Sequence, residues 1–109
     1  MNKICTSVEQ SKKLMELGID VKTADMCWCN ENDVITVPYS QACEIVKDYP
    51  AWSLTALLTV IPNYKLSSEH NYHTCTAETS FGKETVGCFD NPIDACVEMI
   101  IKLHELNLL

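Results

Sequence analysis

Arginine is absent from this chain of 109 residues: its 8 cations are all lysine, set against 15 aspartates and glutamates, for a formal net charge of −7 at pH 7. Without arginine there is no planar fork to grip phosphate through two parallel hydrogen bonds. The longest basic run is Lys12-Lys13. An acidic field repels polyanions, so nucleic acid and anionic membrane are excluded as partners. Glycine is scarce, at 3 residues, and no Walker loop, G-x-G-x-x-G, G-x-S-x-G or H-E-x-x-H is present. That removes phosphate-cradling loops, nucleophile elbows and zincin helices. No apolar run approaches the ~20 residues that span a bilayer.

Cysteine, by contrast, is abundant, at 7 residues: Cys5, Cys27, Cys29, Cys43, Cys75, Cys88 and Cys96. The number is odd, and the opening MNKICTSVEQSKK carries no apolar signal region. These features predict a cytoplasmic protein whose thiols stay reduced and pack as small hydrophobes, with no disulfide framework. The hydrophobic fraction of 47% and charged fraction of 21% are ordinary for a globular chain. One domain over residues 1–109 is expected.

The order of elements reads helix, hairpin, helical region, hairpin, helix. Ser7 and Gln10 make a capping box for a helix ending at Gly18. Its core side would carry Val8, Leu14 and Met15. DMCWC and VITVPY, separated by NEND, read as a first hairpin. SQACEIVKDY has helical period up to Pro50. Leu54, Leu57, Leu58 and Ile61 continue the period in a nearly uncharged stretch, which is expected to be the most buried helix. From Asn71 to Thr79 the period becomes two, with His73, Cys75 and Ala77 on one side. SFGKE then turns into TVGCF as a second hairpin. The last helix has Asn91 as cap, Pro92 at its first position and an apolar face of Ile93, Cys96, Val97, Met99, Ile100, Leu103 and Leu106. Asp94, Glu98, Lys102 and Glu105 form its solvated stripe. The expected fold is α+β: an antiparallel sheet of about four strands in two hairpins, with N- and C-terminal helices packed against it.

Four groups of residues could carry chemistry. Cys27, Cys29, His70 and His73 have the softness of a tetrahedral zinc set. However, C-x-C is tighter than the usual knuckle, and in a strand its thiols would lie about 7 Å apart. Cys75 with His73 is a possible nucleophile and base, with neither an oxyanion hole nor an orienting group in sight. His104 falls in the apolar arc of the last helix and reads as a core or boundary residue. Trp52 reads as a staple fixing the start of the following helix, with an interface anchor as the alternative. No catalytic residue, metal or cofactor is assigned.

The blocks EQSKKLMELGID, TADM, YPAWSLTALLTVIP and NPIDACVEMIIKLHELNLL resemble a family of small hypothetical proteins of gut Bacteroidales genomes, often found in prophage or other mobile-element regions. This resemblance covers roughly half the chain and implies a bacterial or phage cytoplasmic protein, with no catalytic residue carried across. GCFDNPIDACVEM is also similar to the partner-binding half of HicB-type antitoxins, although those begin with a strand where this chain begins with a helix. The expected function is therefore that of a non-enzymatic accessory protein acting through a protein partner, with a homodimer as one form. The apolar tail Leu106, Leu108 and Leu109 is expected to project beyond the last helix into that contact.

Overall fold

The computed structural model describes residues 4–29, 33–41 and 49–108. Helix α1 runs Val8–Glu16. Both halves of its capping box form: the Ser7 hydroxyl accepts from Gln10 N–H at 3.1 Å, and Gln10 Oε1 accepts from Ser7 N–H at 3.0 Å. At its other end Gly18 takes φ +83, a conformation that glycine enters without steric cost. This lets Ile19 N–H reach back to the Leu14 carbonyl at 3.1 Å and Gly18 N–H to that of Met15 at 3.0 Å. The inward face differs from the expectation. Leu14 is buried, but Met15 is exposed and Ser11 is buried in its place, its hydroxyl 2.8 Å from that of Thr6.

Strands β1 (Met26–Trp28) and β2 (Val34–Ile35) form the first hairpin, closed by Cys29 N–H to the Asp33 carbonyl at 2.8 Å. A third strand, β3 (Tyr49–Ala51), joins the other side of β1, with Pro50 opposite Cys27. The sequence reading had placed Tyr49 in a helix broken at Pro50. Proline is compatible with an edge strand because no ladder hydrogen bond is needed on its open side, so Pro50 sits within an edge. Most of that expected helix, residues 42–48, lies outside the described residues; Tyr39–Gln41 before it is a 3-10 turn.

Helix α2 (Leu54–Val60) starts at Ser53, whose hydroxyl accepts from Ala56 N–H at 3.3 Å. It buries only Ala56 and Leu57 fully, so it is not the most buried helix. That place belongs to α3 (Pro92–Glu105), with seven buried residues from Ile93 to Leu103. Between α2 and α3 run β4 (Tyr64–Glu69), β5 (Tyr72–Thr79) and β6 (Gly82–Phe89), an antiparallel meander with β5 in the centre. The fold is α+β, but its described strands number six, in two three-stranded sheets, rather than about four. Strand β4 was missed because its inner positions hold only Tyr64 and Leu66 as apolar residues, opposite Ala77 and Cys75. It joins β5 through His70 (φ +52) and Asn71 (φ +66), the left-handed pair that a two-residue hairpin turn requires.

Helix α3 covers the inner face of β5 and β6, and α2 packs beside it. Leu14, Trp52, Leu57, Cys75, Ala77 and the inner face of α3 close one core. A smaller cluster of Cys5, Met26 and Ala51 lies under the first sheet. On the strand-facing side, two residues of β6, Gly87 and Cys88, stand where β5 offers Thr74, so the register slips between His73 and Cys75. Cys88 carries the bulge at φ +69, a conformation that costs a side-chain-bearing residue roughly 1–2 kcal/mol. Cys88→Gly is therefore expected to raise stability by about 0.5 kcal/mol after the entropic cost of glycine is subtracted; a urea midpoint shifted downward would contradict this. Among the described residues, no helix is long and apolar enough to cross a membrane.

Candidate functional site

The hairpin tip between β5 and β6 is two residues long, Ser80 and Phe81. A tip has no core beneath it, so an aromatic placed there faces solvent. Phe81 is 83% exposed, the most exposed of the large hydrophobic residues described. It is also held in place. The Thr79 hydroxyl accepts from Phe81 N–H at 3.2 Å and donates to the Gly82 carbonyl at 3.0 Å.

The end of α3 lies beside this tip. Its last turn closes through Asn107 at φ +58, with Leu108 N–H donating to the Leu103 carbonyl at 2.8 Å and Asn107 N–H to that of His104 at 3.0 Å. This back-turn carries the residue after Asn107 onto the helix's own apolar face. Leu108 consequently packs against the core instead of projecting, which corrects the expectation of a free tail. Leu106 stays 47% exposed, and Leu109 lies outside the described residues. Phe81, Glu84, Leu106 and Leu108 together line a shallow depression of about 240 Å³. Leu108 also borders a second depression of about 460 Å³ with Pro62, Asn63, Glu78 and Thr79. Lys102 fixes the rim: its ammonium lies 3.2 Å from the Glu84 carboxylate and 3.4 Å from the Thr85 carbonyl, joining β6 to α3 one turn before Leu106. The result is an apolar centre with carboxylates at Glu78 and Glu84 around it.

The other expected site residues lie elsewhere. Trp52 is 0% exposed, and its indole N–H donates to the Thr23 hydroxyl at 2.9 Å. It is core material, and the anchor alternative fails for want of exposure. Cys27 is buried in β1, its thiol directed to the Trp28 carbonyl at 3.6 Å, and Cys29 follows at the strand end. His70 sits at the β4–β5 turn, 3.6 Å from the Glu69 carboxylate in a highly exposed pair, while His73 lies within β5. The described residues contain no group of three His, Cys, Asp or Glu side chains able to hold a metal ion, so the four candidate zinc ligands are not brought together. Cys75 is fully buried and cannot meet a substrate from solvent as a nucleophile paired with His73. His104 is half-buried on α3, a boundary position. Asp94, expected on the solvated stripe, instead accepts from Gln10 Nε2 at 2.7 Å and from Asn91 Nδ2 at 2.8 Å, pinning α1 to the start of α3.

Sequence reasoning passed over Phe81. The signal was present: an aromatic flanked by Ser80 and Gly82 falls at a turn, where burial is geometrically excluded. No family model, curated protein or solved structure matches this chain.

Proposed function

We propose that this chain is a non-enzymatic accessory protein of the bacterial cytoplasm that works by binding another protein through Phe81, Leu106 and Leu108. The observation that carries this reading is the solvent-facing Phe81, its backbone N–H bonded to the Thr79 hydroxyl, set against the exposed Leu106 in one depression. Aromatic anchors at the centre of a contact dominate binding energy at protein interfaces. The carboxylate at Glu78 and the net charge of −7 favour a partner with an apolar protrusion flanked by cations. Two copies of the same acidic chain repel each other, which places a homodimer second.

The reading is tested by comparing immobilised wild-type chain with Phe81→Asp and Leu106→Asp in extracts of the native cell. A protein retained by the wild type and shed at least tenfold by both variants is the expected result. Both variants should unfold within about 0.5 kcal/mol of the wild type, since surface changes rarely do more. Equal retention by all three would remove this surface from the account. Light scattering on the free chain shows whether a second copy occupies it.

The HicB-type alternative draws on the meander β4–β5–β6 running directly into α3. It calls for a toxin partner, and protection of the outer strand face instead of Phe81 would favour it.

A further inference from the structure

The two described sheets end in β2 and β3, and in β4 and β6. All of these edges but β4 are blunted against further pairing. Strand β2 is two residues long, β3 carries Pro50, and β6 is interrupted by the bulge at Cys88, with its Thr85 carbonyl 3.4 Å from the Lys102 ammonium. Strand β4 runs Tyr64–Glu69 in unbroken register with β5, holds no proline and is exposed at every position except Leu66. No described strand pairs with its other side. Independently of the Phe81 surface, we propose that β4 pairs antiparallel with β4 of a second copy, joining two meanders into one sheet about a twofold axis at Ser67.

The register follows from the direction of the backbone groups. The Asn63 carbonyl accepts from Glu78 N–H at 3.3 Å, so Asn63 directs its backbone toward β5. Successive residues of a strand point their backbone groups to opposite sides. Lys65, Ser67 and Glu69 therefore turn theirs to β5, and Leu66 and Ser68 turn theirs to the open edge. With the axis at Ser67, Leu66 stands opposite Ser68 of the second copy, and the two exchange both backbone hydrogen bonds. The axis repeats the exchange, so these outward groups of Leu66 and Ser68 are all satisfied.

The side chains select the same register. Leu66 packs on the core, so Lys65, Ser67 and Glu69 share the opposite face of the sheet. About this axis Lys65 faces Glu69 of the second copy, and Glu69 faces its Lys65. Both pairs fall at non-hydrogen-bonded positions, where Cα atoms approach to about 4.5 Å and side chains meet most closely. An axis at Leu66 would set Lys65 against Ser67 and lose both ion pairs. Glu69 is accessible for this role: it and the His70 imidazole 3.6 Å away are highly exposed. The net charge of −7 opposes association at long range. At physiological salt that field is screened beyond about 8 Å, whereas the seam charges meet at contact.

The test is light scattering on the full chain and on Lys65→Glu and Glu69→Lys. The wild type should self-associate with a Kd of about 10–100 μM, as suits a small contact. Each variant sets like charges against each other at both ends of the seam and should weaken association about tenfold. Mixed in equal amounts, the two variants should pair again at wild-type strength, because every lysine then meets a carboxylate across the axis. A wild type still monomeric at about 1 mM overturns the proposal. So does a mixture that stays monomeric while circular dichroism shows both variants folded. Should either variant not fold, the double exchange Lys65→Glu with Glu69→Lys decides, and it must dimerise as the wild type does. Phe81→Asp should leave the dimer unchanged. A dimer lost in Phe81→Asp but kept in Glu69→Lys would seat the second copy on the Phe81 surface and rule out pairing through β4.

Discussion

Trp52→Ala is expected to remove about 3–5 kcal/mol of folding free energy, the largest loss of any single substitution considered for this chain. Trp52 lies at the end of β3, just ahead of α2, and its ring is wholly enclosed by the main core. Truncation leaves a cavity where the largest buried side chain stood, and it removes the indole N–H that now meets the Thr23 hydroxyl at 2.9 Å. Domains of this size carry about 5–15 kcal/mol in total, so the variant sits at or near the edge of folding. Trp52→Phe separates the two contributions. It keeps much of the apolar volume but loses the hydrogen bond, and should cost about 1–2 kcal/mol. Urea denaturation followed by circular dichroism measures both. A loss under 1 kcal/mol for the alanine variant would mean that Trp52 is not enclosed, and would reopen its reading as a surface anchor.

The second large effect is expected at Thr6, a buried polar residue in the segment before α1. Its backbone N–H donates to the Trp52 carbonyl at 2.9 Å, and its hydroxyl accepts from the Trp52 N–H at 3.1 Å and lies 2.8 Å from the Ser11 hydroxyl. Its carbonyl accepts from the Trp28 indole at 3.0 Å. One residue thus joins the N-terminal segment, α1, the first sheet and the β3–α2 junction. Thr6→Val keeps the shape but deletes the hydroxyl, stranding the Trp52 amide and the Ser11 hydroxyl away from water. An orphaned buried group costs about 1–3 kcal/mol, so about 2–4 kcal/mol is expected for the two together. Thr6→Ser restores the hydroxyl and loses one methyl, about 1 kcal/mol. Thermal unfolding of both variants, with hydrogen exchange at the Trp52 amide, checks the assignment. A valine variant no less stable than the serine variant would show that the hydroxyl does not carry the expected energy.

What was legible in the sequence was mainly what local chemistry decides. The Ser7–Gln10 box, the Asn91 cap with Pro92 behind it, and the Gly18 stop all use a side chain or backbone within a few residues, and each forms as read. The inner face of α3 was legible because its apolar residues recur over three turns; only Leu106, beyond the packed sheet, falls outside it. Features set by long-range pairing were not. Strand β3 is three residues holding a proline, and it becomes a strand only because β1 lies beside it. Strand β4 shows too few apolar residues to announce itself and is defined by its pairing with β5.

The candidate site divides along the same line. Leu106 was singled out from its place at the end of an apolar helix, both on its inner face and in the tail, and it is 47% exposed. Leu108 was read as projecting because a tail of leucines has no visible restraint, yet Asn107 in the left-handed conformation turns it inward. Phe81 joins them only through the closure of β5 on β6, a tertiary event.

The docking surface is tested most directly by placing a photo-reactive phenylalanine analogue at position 81 of the full chain and irradiating it inside the native cell. A single covalent adduct with another polypeptide is predicted, lost when Leu106→Asp is added and absent when the probe sits at exposed Glu98 on α3. If position 81 gives no adduct, or gives the same products as position 98, then Phe81 faces only water and the binding function assigned to this surface is wrong.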